Sequence, residues 1–455
     1  MPADMFFLSQ AAAQIRDRAL SPVELARECL ARIERMNPLL NAFITVTPEL
    51  ALEQAQRAEA EIMAENWRGP LHGIPIALKD LIDVAGVRTT AASNQYHSRI
   101  ATEDAAIVAQ LKRAGAVIVG KTNLHEFAFG GSGLVSAFGP ARNPWDHESI
   151  TGGSSSGSAA GVAAGMCLAA IGTDTAGSVR IPAALCGVVG HRPSAGVWSA
   201  KRIVPLAKSF DTPGPITRTA EDASLMLRAL AENGRAITSA DLSPPVAHVA
   251  VGVARRGFFD GLDADVAKCA EQALRVIRSL AGSMREVQLE VGPHRTIFNA
   301  EIYQYHRQMV QQSPELYHPA TLARIQSCAG IANSDVESAR NKLAVARTEA
   351  EKIFQTVDVV VTPTVVAGAP KIAELQAMPA SELRTFEVQY LLRNTAPFSV
   401  LDWPSVSVPC GFTSEGLPVG LQISARPGAD DVALRLGHAY EQATEWHRRV
   451  PPTPL

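Results

Sequence analysis

The sequence predicts an α/β fold: a large single domain built on a central mixed, mostly parallel β-sheet with helices on both faces. Three observations predict it. Helix-like and strand-like segments alternate along the chain. The strand segments are near-continuous apolar runs, the pattern expected where both faces of a sheet are covered. And 455 residues at 47% hydrophobic content can bury a large core.

The elements follow in order. Ser21-Pro22-Val23-Glu24 is a capping box with proline at the first helical position, opening a helix through LARECLARIERM. Residues 74–78 (IPIAL) read as a short buried strand ending at Lys79-Asp80. Residues 105–114 read as a helix and 116–119 (AVIV) as a second buried strand. Farther on, 248–253 is a strand, 263–280 a helix and 285–289 a strand. A long helical stretch over about 299–356 leads to an apolar strand at 357–361. There is no internal repeat, low-complexity tract or charged linker. Pro244-Pro245 is the best candidate boundary within what otherwise reads as one domain.

Charge and composition exclude several function classes. The net charge is −3, from 42 basic and 45 acidic residues well mixed along the chain, which gives no footprint for nucleic acid or an anionic membrane. The start, MPADMFFLSQ, lacks a basic n-region and a sustained apolar core, so no signal peptide is expected. The longest chargeless small or apolar run, 159–172, is too short and glycine-rich to span a bilayer. Six scattered cysteines without a CxxC pair fit a reducing compartment rather than a disulfide or zinc framework. The expectation is a cytoplasmic globular protein, monomeric or homodimeric.

Two motifs match known functional patterns on weak grounds. Gly115 to Thr122 (GAVIVGKT) fits the phosphate-loop pattern GxxxxGK(S/T), but its four intervening residues are themselves the strand, so their amides cannot cradle phosphate. Gly153-Ser154-Ser155-Ser156-Gly157 fits GxSxG and nominates Ser155 as a nucleophile. Histidines follow it in the chain, so order alone permits an esterase of that type. The preceding ESITGG is polar, however, with no strong strand, and a second serine turn at Ser178 is left unexplained.

The third constellation is Lys79, Ser154 and Ser178. A lysine ending an apolar strand is expensive to bury. Strand neighbours point to opposite faces, so Asp80 is badly placed to neutralise it. A desolvated lysine has a lowered pKa and can accept a proton near neutrality. On residue chemistry alone, such a base and an ordinary lysine that pairs or reaches solvent both stand.

Residues 70–192 resemble the amidase signature family. LHGIPIALKD, GKTNLHEFAFG, FGPARNPWD, GGSSSGSAAGVAAG and GTDTAGSVRIPAALCGVVG are similar to its most specific motifs, and the spacings of 75 and 24 residues between Lys79, Ser154 and Ser178 agree. SFDTPGPITRTAEDA, DVVVTPT and WPSVSVPCGFTSEGLPVGLQI extend the likeness, while about 290–350 looks unrelated, a stretch that in the family varies and shapes the substrate pocket. The resemblance implies that Ser178 is the nucleophile, Ser154, on a cis peptide bond, the proton relay, and Lys79 the base. It implies an oxyanion hole from the backbone N–H groups of Thr175, Ala176, Gly177 and Ser178, where one donor is worth about 3 kcal/mol. Asp174 and Arg180 are then a bracing pair, Ser155 is scaffold, and no metal or organic cofactor is required.

The chain departs from the commonest pattern. Ala176 gives TAGS, as in allophanate-hydrolase-like members. Residues 130–139 (GGSGLVSAFG) lack the polar Thr-Glu-Asn character of glutamine-using subunits, and Leu134 and Val135 are expected to make that wall apolar. Asp402-Trp403 puts an aromatic before the C-terminal strand. Phe127, Phe129, Gly130, Gly131 and Trp403 are candidate pocket residues, while His125 and His191 read as structural. The expected function is hydrolysis of the C–N bond of a small-molecule carboxamide, aryl amide or carbamate (urethane), with no nucleic acid or membrane partner. The alternatives are a glutaminase A-type subunit of a tRNA-dependent amidotransferase, a catalytically idle homologue, and the GxSxG esterase using Ser155.

Overall fold

The structure is a computed structural model and describes residues 7–231, 242, 245–289 and 295–452. Its strands are β1 (Phe43–Val46), β2 (Pro75–Lys79), β3 (Val117–Thr122), β4 (Arg142–Asn143), β5 (Asp146–Ile150), β6 (Ala169–Asp174), β7 (Val189–Arg192), β8 (Thr212–Thr217), β9 (Ala250–Ala254), β10 (Ser283–Val287), β11 (Val359–Pro363), β12 (Ser405–Phe412) and β13 (Pro418–Ala425). Eleven of them form one sheet in the order β1-β3-β2-β6-β8-β7-β12-β13-β11-β9-β10. The sheet is mixed, as expected, with its parallel pairs confined to two blocks, β3-β2-β6 and β11-β9-β10. The run from β6 to β11 between them is antiparallel. Strands from both sides of Pro245 share this sheet; Pro244 lies outside the described residues.

Local chemistry sets the element ends. The helix Pro22–Leu40 starts at Ser21, whose Oγ accepts from the amides of Val23 (3.1 Å) and Glu24 (3.2 Å). The helix Ala264–Leu280 is capped by Asp263, which accepts from the Asp265 amide. The expected long helix across 299–356 is three helices, Arg295–Gln312, Pro319–Gln326 and Asn333–Glu351. Pro314 and Pro319 interrupt it, and Gly330, at φ +80°, stands before the third. The polar ESI segment, expected not to be a strand, belongs to β5, which pairs with β4 in a separate two-stranded ribbon. Its polarity follows from that half-exposed position outside the central sheet.

The Ala/Gly helix Ser156–Ala163 is buried along its whole length. Its small residues are a packing requirement: a Cβ on Gly157 would lie 2.1 Å from the Ala42 carbonyl oxygen. The helix presses on β2, β3, β6 and β8, so the serine turn at its start is fixed against the strand ends that carry Lys79 and Asp174. All six cysteines are buried and unpaired.

Candidate active site

Lys79 is the last residue of β2 and has no solvent exposure. Its Nζ lies 2.7 Å from Ser154 Oγ and 2.9 Å from Thr173 Oγ1 on the neighbouring strand β6. Asp80 points away, to Lys121 Nζ at 3.0 Å and the Thr90 amide at 2.9 Å. The same contact occupies the lysine of the GxxxxGKT match, which sits inside β3. Burial pushes the Lys79 pKa down to about 7, against the opposing pull of the Asp211 and Asp174 carboxylates. Thr173 was not legible as a site residue; only its position at a strand end next to Asp174 hinted at it.

The two serine turns are bonded to each other. The Gly153–Ser154 peptide is cis. The Ser155 amide donates to the Ser178 carbonyl at 3.2 Å, and the His125 amide donates to the Ser154 carbonyl at 3.0 Å. Ser155 itself is fully buried, its Oγ against the Thr173 backbone at 3.4 Å. Strand, turn and helix do occur around it, but its hydroxyl faces no cavity. Ser178 instead stands on the wall of one. The Ser154 and Ser178 hydroxyls make no hydrogen bond to each other.

Asp174 and Arg180 brace the second turn. The guanidinium spends all five N–H groups: two on Asp174 (both 2.9 Å), and one each on the Thr395 carbonyl (3.1 Å), Gln422 Oε1 (2.6 Å) and Ser399 Oγ (2.6 Å). Burial works to raise the Asp174 pKa, but Arg180 and Arg192 outweigh it and hold the carboxyl well below the usual range. The Asp174 carboxylate also takes the Gly177 amide at 2.9 Å. That corrects the expectation of four oxyanion donors. Gly177, at φ +128°, turns its N–H inward to Asp174, whereas the amides of Thr175, Ala176 and Ser178 have no protein acceptor. Gly177 is irreplaceable on steric grounds, since a Cβ there would lie 2.1 Å from Thr395 Oγ1.

Ser178, Thr175 and Ala176 line a cavity of about 330 Å³. Phe129 and Gly130 line this cavity, together with Phe210, Phe298 and Val400. Four expectations are corrected. Trp403 has no exposure and packs on Phe354 and Phe398 in a core cluster behind the pocket. Gly131 does not line the cavity; its carbonyl accepts the Gly153 amide at 2.7 Å. Leu134 and Val135 are buried off the wall, and Phe127 packs among Tyr96, His306 and Tyr317. The wall is supplied instead by 384–400, including one π-helical turn, and by Arg295, Phe298, Asn299 and Arg324 of the two helices that follow residue 294. Burial pushes the His125 pKa down to about 3, so its ring is neutral, and His191 Nε2 is held 3.1 Å from Asp430.

A second cavity, about 400 Å³, meets the first at Ala128 and Leu206 and is lined by Thr173 and Asp211. Asp211 accepts from Thr175 Oγ1 at 2.6 Å and from the Leu206 and Ala207 amides. Burial pushes its pKa up to about 6 against those bonds. Among the described residues no group of His, Cys, Asp and Glu is arranged to hold a metal, and no helix is long and apolar enough to cross a membrane.

Comparison with known proteins identifies the family and the fold. The A-type subunit of the glutamyl-tRNA(Gln) amidotransferase of Geobacter metallireducens is 37% identical over 473 residues, covering 95% of this chain and 96% of its own length. Its counterpart in Methylococcus capsulatus is 36% identical with 98% of both chains covered. Among solved structures, a peptide amidase from Stenotrophomonas maltophilia superposes with a TM-score of 0.85 at 29% identity, covering 100% of this chain and 99% of its own. A 6-aminohexanoate cyclic dimer hydrolase gives 0.87 at 26% identity, with 98% of both covered. A model of the Amidase family matches residues 24–434, and on that match the chain belongs to the amidase signature family of enzymes that hydrolyse C–N bonds.

Proposed function

We propose that the chain hydrolyses small-molecule carboxamides through a Ser178 acyl-enzyme, with Ser154 as relay and Lys79 as base. The observation that carries the reading is the 2.7 Å contact of a desolvated Lys79 Nζ with Ser154 Oγ, next to a Ser178 that faces a cavity. Neutral Lys79 takes a proton through Ser154 as Ser178 Oγ attacks the carbonyl carbon. The amides of Thr175, Ala176 and Ser178 receive the oxyanion. The C–N bond breaks, the leaving nitrogen takes the proton back through Ser154, and water then cleaves the ester to release the acid. The scheme uses no metal or organic cofactor. Carbamates, aryl amides and esters present the same carbonyl and are expected to be accepted in proportion to their fit among Phe129, Phe210 and Phe298.

A second reading, the glutaminase component of an amidotransferase with partner chains and tRNA, is favoured by the relatives' identity over nearly the whole chain. The pocket argues against it. Glu387 is the one carboxylate on the described wall, and Arg324 (2.5 Å) and Ser132 (3.1 and 2.6 Å) already occupy it. Glutamine's α-ammonium therefore finds no free anion. The test is a panel of primary amides, p-nitroanilides, carbamates, p-nitrophenyl esters and glutamine assayed with the isolated chain. Turnover of glutamine alone would sink the first reading; turnover of amides that Ser178→Ala retains would sink the mechanism.

A further inference from the structure

The Arg324–Glu387 pair joins the one carboxylate on the described cavity wall to one of its four arginines. Both side chains are nearly buried, at 11% and 2% exposure, and a buried ion pair is seldom worth more than apolar residues of similar size. What distinguishes this pair is where its remaining hydrogen bonds go. Arg324 Nη1 donates to the Phe129 carbonyl at 2.8 Å. Glu387 Oε1 accepts from the Ser132 amide at 3.1 Å and from Ser132 Oγ at 2.6 Å. The pair thus grips both ends of the loop 129–132. Between those ends, the Gly131 carbonyl takes the Gly153 amide at 2.7 Å, one residue before Ser154. The helix that carries Arg324 is docked on the same loop region at its start, where Glu126 accepts the His318 amide at 3.2 Å. The His125 amide, next to Glu126, holds the Ser154 carbonyl.

We propose that Arg324 and Glu387 are positioning residues for the catalytic serines: through the 129–132 loop they set the Gly153–Ser154 turn against Lys79 and Ser178. This rests on the reading of Ser154 as relay and Ser178 as nucleophile. It gives the helix Pro319–Gln326 a second role. Besides walling the pocket, it fixes the register in which the relay hydroxyl meets the base. Residues on the cavity wall are thereby mechanically joined to the proton path, without touching the reacting atoms.

The test uses the full chain and a small serine-directed sulfonyl fluoride, with the labelled residue located by mass spectrometry and melting temperatures recorded alongside. Arg324→Ala and Glu387→Ala are expected to slow labelling of Ser178 by about tenfold to a hundredfold, the cost of misplacing a catalytic group by a fraction of an ångström to one ångström. On a primary amide too small to reach Arg324, kcat and kcat/KM should fall together, with KM little changed. Glu387→Gln keeps an oxygen for Ser132, and Arg324→Lys keeps one donor, so both should recover part of the rate. A role confined to stability would lower the melting temperature and leave the labelling rate of the folded fraction intact, which would overturn the proposal. If the alanine variants do not fold, the two conservative variants decide it: labelling at the wild-type rate overturns it. Labelling that persists in Ser178→Ala would instead bring down the catalytic reading beneath.

Discussion

Lys79 Nζ lies 2.7 Å from Ser154 Oγ, and no carboxylate oxygen among the described residues comes within ion-pairing distance of it. The nearest candidate in sequence, Asp80, is taken by Lys121. A lysine held by two hydroxyls and no counter-ion is the arrangement that lets an amine shed its proton near neutral pH.

The first prediction concerns pH. With Lys79 brought down to about 7, kcat/KM should rise through an ascending limb near pH 7 and flatten above it, far below an ordinary lysine. Asp211 is the first of the charges that pull the Lys79 pKa upward. Asp211→Asn removes that pull, so the limb should move to lower pH. A pH–rate profile on a neutral amide checks both; a limb near the value of free lysine, about 10.4, would count against the base.

Removing Lys79 should move stability and activity in opposite senses. The folded pKa of Lys79 is depressed, so between about 7 and 10.5 the unfolded chain binds more protons than the folded one, and stability rises with pH across that window. Lys79→Met is therefore expected to abolish turnover yet raise stability at pH 7 by about 1–4 kcal/mol, less what Ser154 and Thr173 lose. The gain should shrink as pH approaches 10.5. Thermal melts at pH 7 and pH 10 give the comparison; a gain that grows with pH would refute the assignment.

Serine identity is separable by single changes. Ser178→Ala should leave only background hydrolysis, while Ser155→Ala, losing two long contacts to Thr173, should keep most activity at a cost of about 1 kcal/mol. Steady-state rates on one amide and one ester suffice. The reverse ranking would restore Ser155 as nucleophile.

Aromatic residues divide into wall and core. Phe298→Ala should raise KM for bulky substrates, because the ring lines the cavity. Trp403→Ala should cost about 3–5 kcal/mol as a core cavity and leave KM of the folded fraction unchanged. Denaturant titration and KM measured on the same preparations distinguish them.

The residues of the proposed catalytic centre were legible because each sits in a short local motif. A lysine after IPIAL, and serines on two glycine turns, each announce themselves within a few residues. The pocket was not. Its wall comes from 129–130, 295–324 and 384–400, segments brought together only by packing, and no periodicity marks which face of each looks inward. Trp403 misled because a large aromatic close to a motif can equally be core, and here Phe354 and Phe398 enclose it. Gly177 misled for a different reason: the turn sequence specifies four amides but not their acceptors, and Asp174 claimed one. Five strands, β2, β3, β9, β10 and β11, lie within a few residues of where the sequence puts them, whereas β5, polar and on a ribbon, carried no such mark.

Arg180 bonds residues 174, 395, 399 and 422 at once. The turn that bears Ser178 is thus completed by atoms more than two hundred positions downstream. A nascent chain that has reached residue 390 already holds Lys79, Ser154 and Ser178, but its guanidinium still lacks three of its five acceptors. If these residues act as proposed, a polypeptide stalled or clipped before β13 should carry every proposed reacting group and yet be inert toward amides.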